Sequence, residues 1–176
     1  MIIERLFEEN NMNWAHIHLM INHVPLVGIG FTILLLIIGM LKNNKEIINI
    51  ALIFVILVAL WAIPAYLTGE PAEELVENLP GISHQLVEEH EEKAKVAFIL
   101  IEITGILALA TIILQRFSKK LFELITTLTL VALIISGVFI TWTANLGGKI
   151  NHPEIRSGAT IQNTPSIDEN DEIHSD

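Results

Sequence analysis

Seven histidines and no cysteine bound the chemistry open to this 176-residue chain. Without thiols there are no disulfides, thiolate ligands or thiol nucleophiles, and no covalent haem attachment through a CxxCH pair. Any metal must be held by His, Asp, Glu or a bound cofactor. Three of the histidines, His16, His18 and His23, stand in NWAHIHLMINHVPLVGIGFTILLLIIGML, at the entrance of an apolar run long enough to cross a bilayer. Water and headgroups reach His16 and His18. His23 lies deeper, followed by Pro25 and nearly pure aliphatic sequence, where an imidazole needs a hydrogen-bond partner or a ligand. On a helix His16 and His23 share a stripe with Gly30, which leaves room for a flat cofactor or a neighbouring backbone, while His18 points elsewhere. A histidine bonded to a polar side chain of another span explains the same pattern.

His84 and His90 stand among Glu88, Glu89, Glu91 and Glu92, and His152 follows the last apolar run. Such a set supports three chemistries. Two neutral imidazoles from different helices can ligate the iron of a b-type haem from opposite faces. Histidines with nearby glutamates can hold a bare divalent metal such as Zn, Cu or Fe. Glu102, inside an apolar run, can relay protons if it lies near the imidazoles. Against these stand plainer readings: surface histidines at 84 and 90, a solvated glutamate face, and Glu102 bonded to a neighbouring helix. Ser83 precedes His84 directly, but neither GxSxG nor HExxH occurs, so hydrolytic machinery is not expected.

The elements that must position these groups are helices in a membrane. Hydrophobic residues make up 52% of the chain, more than a soluble domain of this length needs for a core. The net charge of −10 is concentrated, with eight acids between Glu70 and Glu92 and five between Asp168 and Asp176, which argues against nucleic acid as a partner. Residues 1–13 lack a basic start and a small-residue cleavage site, so no removable signal peptide is expected; they suit a short amphipathic segment at the interface. Spans are expected at about 17–41, 47–67, 94–114 and 121–143. The first pair is joined by Lys42 to Lys45 and the second by Gln115 to Lys120, breaks too short for anything but tight reversals. Between the second and third spans, Gly69-Glu70-Pro71 and Pro80-Gly81 frame a short amphipathic surface helix, and Ser83 is the expected N-cap of the next. Ala144 to Gly148 reads as a glycine stop, and residues 157–176 as a disordered acidic tail. The fold expected for residues 14–156 is therefore all-α, an integral membrane four-helix up-down-up-down bundle with both termini on one side.

In that arrangement six histidines, 16, 18, 23, 84, 90 and 152, fall at one end, as do all three tryptophans. With the opposite ends of the spans level, His18 and His90 share a height and His23 lies about 7 to 9 Å deeper. Level favours His18 with His90 as the facing pair; depth favours His23 as a ligand. Lys and Arg divide evenly, with Lys42, Lys45, Arg116, Lys119 and Lys120 in the reversals and Arg5, Lys93, Lys95, Lys149 and Arg156 opposite. Concentration of charge in very short loops is expected to put the reversals in the cytoplasm and the histidines outside.

The segments HIHLMINHVP, LTGEP, LPGISHQLVEEHEE and TANLGGKINHPEIR resemble an uncharacterised group of bacterial four-span membrane proteins related to the b-type, two-haem membrane cytochromes. The resemblance covers residues 14–156. It implies a four-helix fold with haem binding, and His18, His23, His90 and His152 as the positions carried over. One departure stands out: two-haem cytochromes stack ligands at two depths, and here the reversal half has no histidine. The function expected is electron transfer through one b-type haem at the outer face, with a quinol or a periplasmic carrier. The alternative is a divalent-metal protein or an accessory subunit of a larger membrane complex.

Overall fold

A computed structural model describes residues 14–77, 79–152 and 155–156. The amphipathic segment expected before Trp14 and the tail expected after Arg156, with His174, lie outside the described residues. Among the described residues six helices follow in order: α1 (Trp14–Ile21), α2 (His23–Leu41), α3 (Lys45–Leu67), α4 (Gly69–Val76), α5 (His84–Leu114) and α6 (Lys119–Asn151). Four stretches of these residues are long and apolar enough to cross a membrane: Trp14–Leu41, Lys45–Val76, His84–Leu114 and Lys119–Asn151. At 1.5 Å per residue α5 and α6 are roughly 45 to 50 Å long, more than the roughly 30 Å of hydrocarbon in a bilayer.

The first span departs from the single helix expected from about residue 17. It starts at Trp14 and breaks at Asn22, a turn residue between α1 and α2. Pro25 is the cause: it has no N–H for the carbonyl of Ile21, and its ring crowds that carbonyl, whereas in the first turn of α2 it is tolerated. The reversals are closed by local caps. Asn44 Oδ1 accepts from the Glu46 and Ile47 amides at 2.9 and 3.1 Å, and Ser118 Oγ accepts from the Leu121 amide at 3.4 Å. Ser83 holds the N-cap position of α5, but its hydroxyl makes no capping bond. The expected glycine stop is overturned, since α6 runs through Gly147 and Gly148 to Asn151. Helix ends here are set by packing against α5 rather than by glycine's weak propensity.

Each long helix packs antiparallel on its neighbours, α2 on α3, α3 on α5, α5 on α6, and α6 back on α2. The interior is more polar than that of a soluble bundle. Thr32, Thr104, Thr111, Thr129 and Ser136 are almost wholly buried, while Val27, Leu34, Ile106 and Val138 face outward. Hydroxyls inside and hydrocarbon outside suit a bilayer, because lipid provides no drive to bury leucine and small residues let backbones approach. Every buried hydroxyl is satisfied within its own helix, as in Thr104 to the Leu100 carbonyl at 2.7 Å. Two pairs also meet across α5 and α6, Thr104 with Ser136 at 3.1 Å and Thr111 with Thr129 at 3.3 Å, where one hydroxyl of each pair can donate to the other in place of its own helix carbonyl. On α5, His90, Ala97, Thr104 and Thr111 follow at seven-residue intervals, so His90 is the end of this seam. Between α3 and α5 the approach is closer still: a Cβ on Gly105 would lie 2.6 Å from that of Ala59.

Candidate functional site: an anchored histidine pair

His18 is carried by α1, which packs on α4 after the break at Asn22. Its ring is half-buried and its Nδ1 lies 3.2 Å from the Thr68 hydroxyl, at the junction of α3 and α4. Thr68 is itself buried, and its single hydroxyl hydrogen points to the carbonyls of Pro64 and Ala65, at 2.9 and 3.1 Å. With that hydrogen on either carbonyl, the Thr68 oxygen accepts from His18 Nδ1–H, and Nε2 is then the ring's acceptor nitrogen.

His90 reaches the same state by a different route. It lies in the second turn of α5, half-buried, with Nδ1 3.0 Å from the Thr143 carbonyl of α6. A carbonyl only accepts, so Nδ1–H donates and Nε2 is again bare. Glycine at 147 gives the ring room; a Cβ there would stand 3.2 Å from His90 Cε1, close enough that the ring would have to shift by a few tenths of an ångström. At Gly69 a Cβ would make only ordinary contact with His18 Cε1, at 3.7 Å. Both rings lie at the end of the bundle opposite the reversals, His18 on α1 and His90 in the second turn of α5.

The other candidates are placed differently. His23 begins α2 on its exposed side, with Nδ1 3.2 Å from the Leu19 carbonyl one turn before it. It is near enough to act electrostatically on His18, but it faces outward and not into the bundle. The expectation that depth would bury His23 fails because its stripe faces away from the other helices. His84 pairs with Glu77 at 3.1 Å on the surface, a contact of about 0 to 1 kcal/mol. His16 and His152 are exposed, and the His152 amide closes the last turn of α6 on the Gly148 carbonyl at 2.9 Å. Glu102 lies twelve residues along α5 from His90, roughly 18 Å by helical rise, so it makes no direct relay with the imidazoles. Its Oε1 is buried with no hydrogen-bond partner. Among the described residues no three His, Asp or Glu side chains converge as a metal site.

Several residues that build the site carry no obvious sign of it in sequence. Thr68 and Thr143 act through atoms every residue or many residues possess, and Gly147 resembles a helix terminator. Arg156 is the most consequential. Its Nε and Nη2 donate to the Lys149 and Ile150 carbonyls at 2.8 and 3.0 Å, and its Nη1 to the Gly81 carbonyl at 2.9 Å. It caps α6 and ties that cap to the turn that starts α5, fixing the height of His90 against Thr143. The signal available was a lone cation a few residues beyond an apolar helix. No protein-family model, curated protein or solved structure matches the chain.

Proposed function

We propose that His18 and His90 are the axial pair of one b-type haem, and that the protein transfers electrons at the outer face of a bacterial inner membrane. The observation that carries this reading is the shared state of the two rings. Each is anchored through Nδ1–H, and each keeps a bare Nε2 at the same end of the bundle. That is the form in which histidine ligates iron, with the second nitrogen's bond fixing tautomer and orientation. Two protein ligands are enough for haem, which brings four of its own, but not for a bare divalent ion, which needs further donors. Gly147 supplies a small neighbour beside the His90 ring. Bound there, haem would supply one-electron chemistry. The residues' own part is to hold two neutral imidazoles, with the Thr143 carbonyl and Thr68 hydroxyl raising their basicity. His23 and His152 are then neighbours of the site and not ligands. The electron source is a quinol or a periplasmic carrier.

The test is the Soret absorbance per protein, with metal analysis on the same sample, for protein purified from haem-replete cells. His18→Ala and His90→Ala should each lose most of the haem, and His84→Ala none. A colourless wild-type protein with stoichiometric Zn or Cu would replace this reading with the bare-metal one. A colourless, metal-free protein would leave the pair as a helix-bonding device and favour the accessory-subunit reading.

A further inference from the structure

An open groove of about 550 Å³ runs between α2 and α3 on the outer surface of the bundle. Its walls are Val24, Val27, Phe31, Phe54 and Leu57, with Gly28 in its floor against Val58. Phe31 and Phe54 meet edge to face, ring centres 5.5 Å apart. Lysine and arginine are absent from the lining. Its polar groups come from two residues, His23 and Trp61. They share one end of it: Gly28 faces Val58 across antiparallel helices, so Trp61, one turn further along α3, stands beside the first turn of α2, which His23 begins.

The hydrogen-bonding capacity of that end is defined. His23 Nδ1 lies on the Leu19 carbonyl, which only accepts, so Nδ1 holds the proton and Nε2 is an acceptor. The Trp61 indole N–H is a donor only. We propose that this groove binds the head of a quinol, with a ring hydroxyl donating to His23 Nε2 and the isoprenoid tail lying along Val27, Phe31 and Leu57. A phenolic hydroxyl donates and accepts at once, which matches the two groups offered. A phospholipid headgroup does not, because its phosphate brings acceptors and calls for a cation. A plain acyl chain would leave His23 without a use at the edge of the hydrocarbon. The aromatic walls suit a flat ring. As the electron source for the histidine pair this site rests on the haem reading; as a binding site it does not.

The experiment titrates detergent-solubilised protein with a decyl-substituted benzoquinol, kept reduced under argon, and with its dimethyl ether, which cannot donate. Trp61 emission is read in a Trp14→Phe, Trp142→Phe background. The quinol should give a saturable change, and the ether should bind about fivefold or more weakly, the worth of one hydrogen bond. His23→Ala should weaken the quinol by a similar factor and abolish the preference over the ether, while His23→Gln retains an acceptor and part of the affinity. Val27→Phe, at an exposed position that leaves the core intact, should block binding by filling the groove. A linear response identical in all variants would mean partition into detergent and overturn the proposal, as would equal binding of quinol and ether or displacement of quinol by equimolar anionic phospholipid. Trp61 reports without haem. A colourless protein that passes this titration refutes only the haem reading, and one with a Soret band but no saturable response refutes only the quinol site.

Discussion

The two ends of the bundle are closed by opposite means. At the reversal end the capping hydrogen bonds are local, Asn44 to the amides two and three residues on and Ser118 to the amide three residues on, and Lys45 over the Phe122 ring, 5.6 Å from its centroid, is the contact that reaches across. At the histidine end the hydrogen bonds reach across the chain, from His18 to Thr68, from His90 to Thr143 and from Arg156 to Gly81, over 50, 53 and 75 residues. Local caps fix where a helix starts and need no other element in place. Long-range contacts form only once all the helices are packed, so each depends on every neighbour's height. The difference teaches that one end serves chain reversal, while the other holds particular side chains in particular states. A polar group that must keep one tautomer has to be held by partners that cannot move independently of it.

The comparison can be sharpened first by asking which end faces the cytoplasm, where the expected effect is all or none. With single cysteines introduced by Asn44→Cys, Ser118→Cys and Glu77→Cys, an impermeant thiol reagent on intact cells should label position 77 and neither of the others. Labelling at 44 but not at 77 would reverse the orientation and put the histidines inside.

Substitution at Gly147 should break the histidine end most severely. Gly147→Val sets a branched side chain against the His90 ring, and overpacking of this kind costs about 1 to 3 kcal/mol. Thermal unfolding in detergent should fall accordingly, and the haem content should fall with it. Gly148→Ala is the control, since a Cβ there meets only Ile155 Cδ1, at 3.9 Å.

Arg156→Ala removes three charge-assisted bonds at a half-buried position. Water replaces part of them, so a loss of about 1 to 2 kcal/mol in unfolding is expected. Arg156→Lys should recover little, because one ammonium cannot reach both the α6 carbonyls and Gly81 with a fixed fork. The matching change at the reversal end, Asn44→Ala, should cost about 1 kcal/mol, the usual worth of an N-cap. It should leave the haem content unchanged. Equal loss of haem in Asn44→Ala and Arg156→Ala would erase the contrast between the ends.

How much of this was legible in sequence follows the same division. Run length and apolar content mark the four long helices, and the short Lys-rich breaks mark the reversal end, because each acts on residues next to it. The gathering of the histidines at one end followed from span assignment alone. Which of them face inward did not, since that depends on how α1 sits on α4 after the break at Asn22. Depth singled out His23, but its helical stripe turns it to the outer surface, where the Leu19 carbonyl of α1 accepts from its Nδ1. Gly147 was misread because the same residue that weakens a helix also lets a ring approach it. Thr143 contributes a backbone oxygen, which no sequence pattern can advertise.

The central claim is that the bare nitrogens of His18 and His90 form one ligand pair, and low-temperature EPR of the oxidised protein tests it most directly. Wild-type protein should show a single low-spin ferric haem with two nitrogen ligands. His18→Ala and His90→Ala, in whatever haem they retain, should each show a high-spin signal that added imidazole converts back to low spin. An unchanged low-spin signal in either variant would show that the iron is ligated elsewhere and contradict the account.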